Sequence, residues 1–382
     1  MTSAKPRRIL LIRNAYRFDF GGAERFPVHL AGELKRMDYQ PLVVSRSEQL
    51  LSYAQVAGVE RRRGWWWSWQ NQTSWRAALF PIYLLWQVLL CGWYLQLLLR
   101  LRPDVVHPQS RDDFVAATVA AKLLGKRVIW TDHADLKYIF MNHRVWYKNP
   151  VGKLVYAVSK LADTITLVSK SEQQLIQQAL GHPLAKATVI YNGVIDEKVV
   201  PVDRPSRDTI VFCATSRLVT AKGIGELLTA FKDLRTTNQH LLLWLVGDGP
   251  EAEKFKRQAA GDASIVFVGH SDEPLRYVAA SDVFVHPSYH EGFSISLVEA
   301  TMLGRPVVAC NVGGNPEIIQ NDSNGLLIPP RDSEALQAAL ARLANDAKQR
   351  QRFGAAARAA FVEGFEFSHI VKERFVPLYE KA

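Results

Sequence analysis

The sequence predicts an α/β protein of two domains, each built on its own parallel sheet. Short apolar, strand-like runs alternate with helical stretches along most of the 382 residues. This alternation is typical of parallel strands joined by right-handed crossovers. A chain of this length suggests about two domains, each large enough to bury a core. The strand-like runs are Arg8–Arg13, Leu42–Ser45, Pro103–His107, Arg127–Trp130, Thr164–Val168, Thr188–Tyr191, Thr209–Cys213, Leu241–Val246, Ile265–Val268, Val283–His286 and Pro306–Ala309.

The most informative segment carries two glutamates, Glu291 and Glu299, between two of these strands. Its order is strand, tight loop, helix and strand, and Ser294 would open the helix. Parallel α/β sheets bind ligands beyond the carboxyl ends of their strands, and a helix N-terminus attracts phosphate. Glu291 would face this cleft from the loop, with Glu299 in the first two turns of the helix. The alternative is that both glutamates are ordinary solvated charges.

A second loop carries one arginine and one lysine, Arg217 and Lys222, after the strand Thr209–Cys213. An apolar-periodic helix follows it. Arginine offers a planar fork of donors and lysine a mobile point charge, so the two together can clamp a diphosphate. For either residue alone, a solvated basic loop would be the default interpretation.

Three glycine-rich segments lie at further turns. Gly21–Arg25 would open the first helix, where paired glycines let the backbone approach an anion. Leu245–Glu251 ends a strand and predicts a turn and nothing more. In Asn311–Glu317, followed by Asn324–Ile328, the glycines indicate backbone close to a ligand or to the first domain, or a structural turn.

Together these motifs resemble the retaining, nucleotide-sugar-dependent glycosyltransferases of the GT-B fold, in particular family 4, the glycosyl transferases group 1. The signature of that family, P-S-x-x-E-G-F-x-x-x-x-x-E-A, is matched from Pro287 to Ala300. The resemblance implies two Rossmann-like domains whose parallel sheets face a central cleft. It covers nearly the whole chain but is thin between Gln40 and Arg102, where the family usually binds its acceptors.

The resemblance also implies which residues bind the nucleotide. The diphosphate would be held by Arg217, Lys222, Gly22 and the helix start at Ser294. Glu299 would bind the ribose hydroxyls. Family members neutralise the leaving diphosphate with Arg, Lys and helix dipoles, so neither a metal ion nor a cofactor is expected.

The donor sugar would contact four residues, namely Glu291, Gly292, Phe293 and His133. His133 matches by position a family histidine after the strand Arg127–Trp130, although its flanking aspartates depart from the commonest pattern, and a structural histidine is the alternative. The catalytic residues would be Glu291, His133, Arg217 and Lys222.

The same resemblance sets the domain boundaries. The turn Tyr191–Val194 would end the first domain, and Asp196–Asp208, with two prolines, would be the linker. We therefore expect an acceptor-binding domain over residues 1–195 and a nucleotide-sugar-binding domain over 196–367. A helix over 368–382 would return to the first domain, as in GT-B enzymes.

The cysteine content and the charge distribution indicate the cellular compartment and the kind of partner. The three cysteines are far apart and without metal spacing, which suggests a reducing compartment, and no secretory signal is recognised. Residues 1–200 carry 27 Lys and Arg against 15 Asp and Glu, whereas residues 201–382 carry 20 against 22. A basic first half suits an anionic acceptor or an anionic membrane surface. No nucleic-acid motif is found, so nucleic acid is not an expected partner.

The most unusual segment joins Arg61–Arg63 and a group of tryptophans to an uncharged helix over residues 77–99. Its length would allow a transmembrane span. We reject a span because Pro103–His107 predicts the next strand of the same sheet. Gln87 and Gln96 would lie on opposite faces, so one sheet contact cannot cover the helix. We expect peripheral attachment at the cytoplasmic face of the membrane; a buried helix or an oligomer interface is the alternative.

The function predicted from the sequence is that of a retaining, metal-independent glycosyltransferase of hexosyltransferase type. It would move a sugar from a nucleoside diphosphate to a hydroxyl of a glycan or lipid-linked acceptor, in cell-envelope polysaccharide or lipopolysaccharide synthesis. Two carboxylates can also suggest a glycosidase, but hydrolysis needs no diphosphate clamp. Another GT-B enzyme, such as a nucleotide-sugar epimerase or a phosphorylase, and an inactive membrane-bound scaffold stay open, as do the base, the sugar and the acceptor.

Overall fold

The computed structural model describes residues 7–14, 22–65, 79–133, 135–141, 149–206 and 208–380. The chain forms two compact units. The first contains Met1–Tyr191 with Ser368–Ala382, and the second contains Asn192–Phe367. Each unit is an α/β layer structure built on its own parallel sheet.

The strands of the first unit are β1 (Arg8–Ile12), β2 (Gln40–Ser45), β3 (Glu60–Arg63), β4 (Val105–Pro108), β5 (Arg127–Asp132), β6 (Thr164–Leu167) and β7 (Ala187–Val189). They form a seven-stranded sheet in the order β3-β2-β1-β4-β5-β6-β7, and every pair is parallel. Most of these strands are runs of buried apolar residues, because helices cover both faces of a parallel sheet. The strand order reverses beside β1, which is where such sheets bind ligands.

The helices that precede the domain boundary are α1 (Gly22–Arg36), α2 (Glu48–Val56), α3 (Phe80–Leu101), α4 (Arg111–Leu123), α5 (Leu136–Phe140), α6 (Pro150–Ser159) and α7 (Lys170–Leu180). Side-chain caps fix several starts: Ser47 accepts from the backbone N–H of Leu50, and Ser169 from that of Glu172. The core lies between helices and sheet, where Trp130 of β5 stacks on Phe114 of α4 with ring centroids 4.3 Å apart.

The strands of the second unit are β8 (Ile210–Thr215), β9 (Leu241–Val246), β10 (Ile265–Gly269), β11 (Val283–His286), β12 (Val307–Cys310) and β13 (Gly325–Ile328). Their order in the six-stranded parallel sheet is β10-β9-β8-β11-β12-β13, so the order reverses between β8 and β11. The helices are α8 (Ile224–Arg235), α9 (Ala252–Ala259), α10 (Pro274–Ala280), α11 (Ile295–Met302), α12 (Asn315–Ile318), α13 (Ser333–Asn345) and α14 (Ala347–Gly364).

The C-terminal segment after α14 packs with the first unit. It comprises α15 (Phe367–Ile370), a π-helical turn over Val371–Phe375 and α16 (Val376–Glu380). Tyr379 of α16 is buried and its hydroxyl lies 2.8 Å from His107 Nδ1 of β4.

The boundary between the units lies earlier than the sequence suggested. We expected the first domain to end at residue 195, but the second unit begins at Asn192. The reason is hydrogen bonding: Val194 donates to the carbonyl of Phe365 and accepts from the N–H of Phe367, at 3.0 Å each. The turn that closes the first sheet therefore belongs to the second unit.

Two strands were not predicted. β3 is formed by Glu60–Arg63, all four residues of which are exposed, so it lacks the apolar pattern of its neighbours. It pairs with β2 at the edge of the first sheet. β13 begins at Gly325, within a segment that we interpreted only through its glycines. Backbone pairing with β2 places β3 without an apolar pattern, whereas β13 has the apolar residues Leu326, Leu327 and Ile328 and pairs with β12.

The helix predicted over residues 77–99 is observed as α3, over Phe80–Leu101; residues 77 and 78 lie outside the described ranges. The helix ends two residues later than expected because Arg102 supplies a left-handed cap, with φ of 48°, whose N–H bonds to the carbonyl of Leu98. In the described part of the chain, α3 is the helix long and apolar enough to cross a membrane. One of its faces joins the core of the first unit, and β4, which follows it, pairs with β1.

Candidate active site

Two loops meet at the carboxyl edge of the second sheet, where β8 and β11 lie side by side. One follows β8, and the other follows β11 and leads into α11. They are joined backbone to backbone, since the N–H of Tyr289 donates to the carbonyl of Ala221 at 3.0 Å. Gly223 permits this approach: its φ is +67°, and a Cβ there would lie 2.1 Å from the carbonyl oxygen of Pro287. This edge is the crevice in which sheets of this kind bind ligands.

Glu291, in the second of these loops, is held by two side chains. Lys222 Nζ donates to Glu291 Oε1 at 2.6 Å, and His286 Nε2 lies 2.9 Å from the same oxygen. Only 13% of the Glu291 side chain is exposed. Gly313, after β12, has φ of +52°, and a Cβ there would lie 1.7 Å from the Glu291 carbonyl oxygen. Three separate segments of the second unit therefore fix Glu291.

These surroundings keep the Glu291 carboxylate ionised. Burial would raise its pKa, but the hydrogen bond and charge of His286 and the charge of Lys222 outweigh burial and lower the pKa to about 2. A lowered folded-state pKa stabilises the fold above about pH 4, and this contribution is lost as the pH falls through the folded value. Near neutral pH, Glu291 can accept hydrogen bonds from hydroxyl groups but cannot act as an acid.

His286, the last residue of β11, is a site residue that the sequence analysis missed. Its side chain is 4% exposed, and its Nε2 lies 3.2 Å from Ser294 Oγ as well as 2.9 Å from Glu291. It therefore ties the Glu291 loop to the start of α11. The available signal was a histidine at the carboxyl end of a buried strand, immediately before the signature run.

Ser294 is the N-cap of α11, as expected, and its Oγ accepts from the N–H of Leu297 at 3.4 Å. The N–H groups of the first turn give this end of the helix its partial positive charge. Phe293 is buried, with its ring centroid 6.0 Å from that of Phe365, so its ring packs within the unit. A sugar contact by Phe293 would therefore involve its backbone, next to Gly292.

The other predicted residues of the second unit flank this network. Arg217 is exposed and lies in the same loop as Lys222, which ends a short 3-10 turn. Glu299 is half-buried in α11. The structure thus joins Lys222, Glu291 and Ser294 through His286 into one hydrogen-bonded group. Arg217 and Glu299 lie on the loop and the helix that carry this group.

His133, the predicted site residue of the first unit, follows β5. Both ring nitrogens are buried and have no hydrogen-bond partner among the described residues. The ring meets Phe26 edge to face at a centroid distance of 5.0 Å. Burial, followed by the charges of Arg13 and His107, holds the pKa of His133 well below its usual range. A neutral imidazole with an unused donor and an unused acceptor suits contact with an uncharged polar ligand.

The glycine loop of the first unit lies partly outside the described residues, which begin again at Gly22, the first residue of α1. The clear feature of this motif is Glu24, to which we had assigned no role. Its carboxylate forms a buried ion pair with Arg13, after β1, at 2.7 Å. This pair fixes the start of α1 against the end of β1.

The remaining glycine-rich loops have structural contacts. A Cβ at Gly247, in the turn after β9, would lie 2.0 Å from the carbonyl oxygen of Ser216. Asn315 is buried and its Nδ2 donates to the carbonyl of Cys310 at 3.0 Å. Among the described residues, no group of three or more His, Cys, Asp or Glu side chains is placed to hold a metal ion.

Comparisons with known proteins agree with this architecture. The family model Glycosyltransferase Family 4 matches residues 20–198, and Glycosyl transferases group 1 matches residues 196–360. The glycogen synthase of Mycobacterium tuberculosis is 30% identical over 282 residues, which are 70% of this chain and 67% of that protein. The UDP-Gal:alpha-D-GlcNAc-diphosphoundecaprenol alpha-1,3-galactosyltransferase of Escherichia coli is 27% identical over 274 residues, 66% of this chain and 69% of that protein.

A solved structure shows the same fold. HepE of Anabaena, in complex with UDP and glucose, superimposes with a TM-score of 0.75 over 97% of this chain and 99% of its own, at 20% sequence identity. Together, the two family models cover the chain from the first helix to α14. The protein is a glycosyltransferase of the GT-B fold and belongs to the glycosyl transferases group 1, family 4.

Proposed function

We propose that this glycosyltransferase transfers a hexose from a nucleoside diphosphate sugar to a hydroxyl of a glycan or lipid-linked acceptor, with retention of configuration. The observation that carries the proposal is the ionised Glu291, held by Lys222 and His286 beside the N-terminus of α11. The site combines an acceptor of hydroxyl hydrogen bonds with cationic and dipolar groups for phosphate. HepE binds UDP and glucose, which supports a nucleotide-sugar donor here.

In this proposal the leaving diphosphate is neutralised by Arg217, Lys222 and the first turn of α11 at Ser294. Glu299 binds the ribose hydroxyls. Such groups are most effective when they are fixed before the reaction begins, because no reorganisation is then needed. The Lys222–Glu291 bond, at 2.6 Å, supplies that alignment between the phosphate and sugar sites.

The chemical step we propose is a front-face displacement through an oxocarbenium-like state. The bond from the anomeric carbon to the phosphate oxygen breaks, and a bond from that carbon to the acceptor oxygen forms on the same face. The acceptor proton passes to the departing phosphate oxygen. Glu291 accepts hydrogen bonds from the sugar hydroxyls, and His133 of the first unit is proposed as a further sugar contact.

The test is a panel of UDP-, GDP-, ADP- and CMP-sugars, assayed for nucleotide release and for transfer to sugar acceptors. We expect one nucleotide class to support turnover and the anomeric proton of the product, measured by NMR, to keep the donor's configuration. An inverted product would contradict the retaining mechanism. Binding without turnover would favour an inactive scaffold, a changed donor sugar without transfer would favour an epimerase, and a pyridoxal spectrum would favour a phosphorylase.

Independence of metal ions and cofactors is the first prediction from this site. Because Arg217, Lys222 and the α11 dipole neutralise the diphosphate, activity in excess EDTA should match activity with magnesium, apart from faster product release with the ion. The measurement is kcat after gel filtration in chelator, with and without added Mg²⁺ or Mn²⁺. Loss of activity on chelation, restored by a divalent ion, would mean that a metal participates.

We also propose that the enzyme works attached to the cytoplasmic face of the membrane, in cell-envelope glycan synthesis. Two hydrogen bonds to α4 fix which face of α3 is turned inward. Gln87 accepts from the N–H of Ala116 at 3.1 Å, and Tyr94 donates to Asp113 at 2.8 Å. Its outer face therefore leaves a row of aliphatic side chains exposed by 54–60%: Ile82, Leu85, Val88, Leu89 and Leu99.

Basic residues precede α3 in the chain. Arg61–Arg63 belong to the exposed edge strand β3. Trp65 follows β3 and packs edge to face on Trp86 and Trp93 of α3, with centroid distances of 5.4 and 6.5 Å. Trp65 thus connects the basic edge to the apolar helix and is itself 46% exposed. Arginine and tryptophan beside apolar surface suit an anionic lipid headgroup layer; Trp66 and Trp67 lie outside the described residues.

The second prediction is that the protein binds anionic liposomes and is partly released by high salt. Each Lys or Arg near such a surface adds about 1 kcal/mol of attraction. Changing Ile82, Leu85 and Leu89 together to Ser should reduce co-sedimentation without altering nucleotide affinity. The matched control is Val56→Ser with Val362→Ser, which removes exposed aliphatic side chains elsewhere.

Two outcomes would contradict membrane attachment. A wild-type protein that is monomeric without detergent and indifferent to liposomes would refute it. A dimer that is lost in the Ile82, Leu85 and Leu89 variant would instead assign this helix face to a protein interface.

A further inference from the structure

The first unit contains a second polar feature that the proposed reaction does not yet use. Gln109 follows β4, between the ends of β1 and β5 in the sheet. It is 1% exposed, and both the oxygen and the nitrogen of its carboxamide lack a hydrogen-bond partner among the described residues. A buried amide without partners costs free energy, and such groups are rare in folded proteins. A ligand that supplies the missing bonds is the simplest physical reason for it.

The backbone of Gln109 is fixed, so the unused amide is not the result of a loose loop. Its N–H donates to the carbonyl of Ile12 at 2.8 Å, and its carbonyl accepts from Arg13. Arg13 is in turn paired with Glu24 at 2.7 Å. His133 follows β5, and β5 pairs with β4 in the sheet. Gln109 and His133 therefore leave the carboxyl ends of two adjacent strands.

The chemistry of this cluster indicates an uncharged ligand. Glu24 offsets the charge of Arg13, and His133 is neutral because its pKa is held well below its usual range by burial and by Arg13 and His107. The groups left unpaired are one amide with both donor and acceptor atoms, one imidazole with both, and the Nε of Arg13. Adjacent hydroxyl groups, each a donor and an acceptor, match such a set. This cluster offers hydrogen-bond donors to a phosphate, but it has no net positive charge to balance the phosphate, because Glu24 pairs with Arg13.

We propose that Gln109 is a sugar-binding residue, whose carboxamide accepts a hydrogen bond from one hydroxyl and donates to a second hydroxyl of a hexose lying next to His133. This inference rests on the proposed glycosyl transfer. The hexose has two possible sources, the donor sugar or the acceptor sugar. A site built to bond a hydroxyl discriminates strongly against loss of that bond, so Gln109 would select among sugars.

The test compares Gln109→Met, which keeps the length of the side chain and removes its polar atoms, with Gln177→Met, which changes an exposed glutamine of α7 in the same unit. Calorimetry measures the affinity for UDP and UDP-glucose, and for GDP and GDP-mannose. If the donor sugar is the ligand, Gln109→Met should weaken binding of the nucleotide sugar about tenfold or more and leave the bare diphosphate unchanged. The control variant should change neither affinity.

If the acceptor sugar is the ligand, both affinities should stay at the wild-type value in Gln109→Met. Transfer to free glucose, galactose, mannose or N-acetylglucosamine should then fall about tenfold or more relative to hydrolysis of the donor. Failure of the wild type to bind any nucleoside diphosphate would be a failure of the proposed function instead.

Thermal stability separates a sugar contact from a structural role. Because the amide of Gln109 has no partner among the described residues, Gln109→Met should melt at the wild-type temperature or above it. A clear fall in the melting temperature would mean that the amide is bonded within the chain, and would overturn the inference. Wild-type nucleotide-sugar affinity together with wild-type transfer would overturn it as well.

Discussion

Replacing Arg217 or Lys222 by alanine should lower kcat by about 10²–10³-fold each, the loss expected when one preorganised group that stabilises developing charge is removed. In the proposed reaction, negative charge grows on the leaving diphosphate, so these cations act more strongly in the transition state than in the bound ground state. The affinity for the nucleoside diphosphate, measured by calorimetry, should therefore change much less than kcat.

Replacing Lys222 should also affect Glu291, because Lys222 Nζ donates a hydrogen bond to Glu291 Oε1 at 2.6 Å. Its removal should raise the pKa of Glu291 from its lowered value, since Lys222 contributes to that lowering. Lys222→Ala combined with Glu291→Gln should cost less than the sum of the single changes, since residues in contact couple. Arg257→Ala and Lys348→Ala, which remove exposed cations of α9 and α14, are the matched controls. Wild-type turnover in either single variant would remove that residue from the proposed clamp.

Substitutions of Glu291 and of Glu299 should affect different quantities, kcat in the first case and nucleotide affinity in the second. Glu299→Ala should weaken binding of the bare nucleoside diphosphate by about 1–3 kcal/mol, or roughly five- to 150-fold, because ribose hydroxyls lose a common acceptor. Glu291→Gln should leave that binding near its wild-type value and lower kcat, because it removes the charge that faces the sugar. The measurements are calorimetry with the diphosphate and steady-state kinetics with the nucleotide sugar.

The pH dependence gives an independent check on Glu291. With a pKa of about 2, it should be ionised throughout pH 5–9, so the kcat profile of the wild type should show no acidic limb from this group. Reversal of the binding and turnover effects between the two glutamates would mean that the proposed roles are exchanged. An acidic limb that disappears in Glu291→Gln would mean that Glu291 titrates during turnover.

The sequence alone was sufficient for all but one strand of each sheet, because parallel strands buried on both faces are short apolar runs that need no knowledge of their neighbours. It failed for the edge strand Glu60–Arg63, whose residues are all exposed, and for Gly325–Ile328, which glycine introduces. Each pairs through its backbone with the strand that precedes it in the chain. For Glu60–Arg63, the side-chain pattern carries little of that information.

For the candidate site, the sequence by itself determined the loops and the family, since Glu291, Ser294 and Glu299 lie within one local signature run. Only the tertiary structure decided the network that fixes Glu291. The loop that carries Glu291 folds back so that its carboxylate meets His286 at the end of β11. The backbone of Gly313 lies close to the carbonyl oxygen of Glu291. Likewise, the hydrogen bonds of α3 to α4 decide which face of α3 is exposed. The contacts of Gly313 with Glu291 and of α3 with α4 join residues that are more than 15 positions apart in the chain, so no local pattern encodes them.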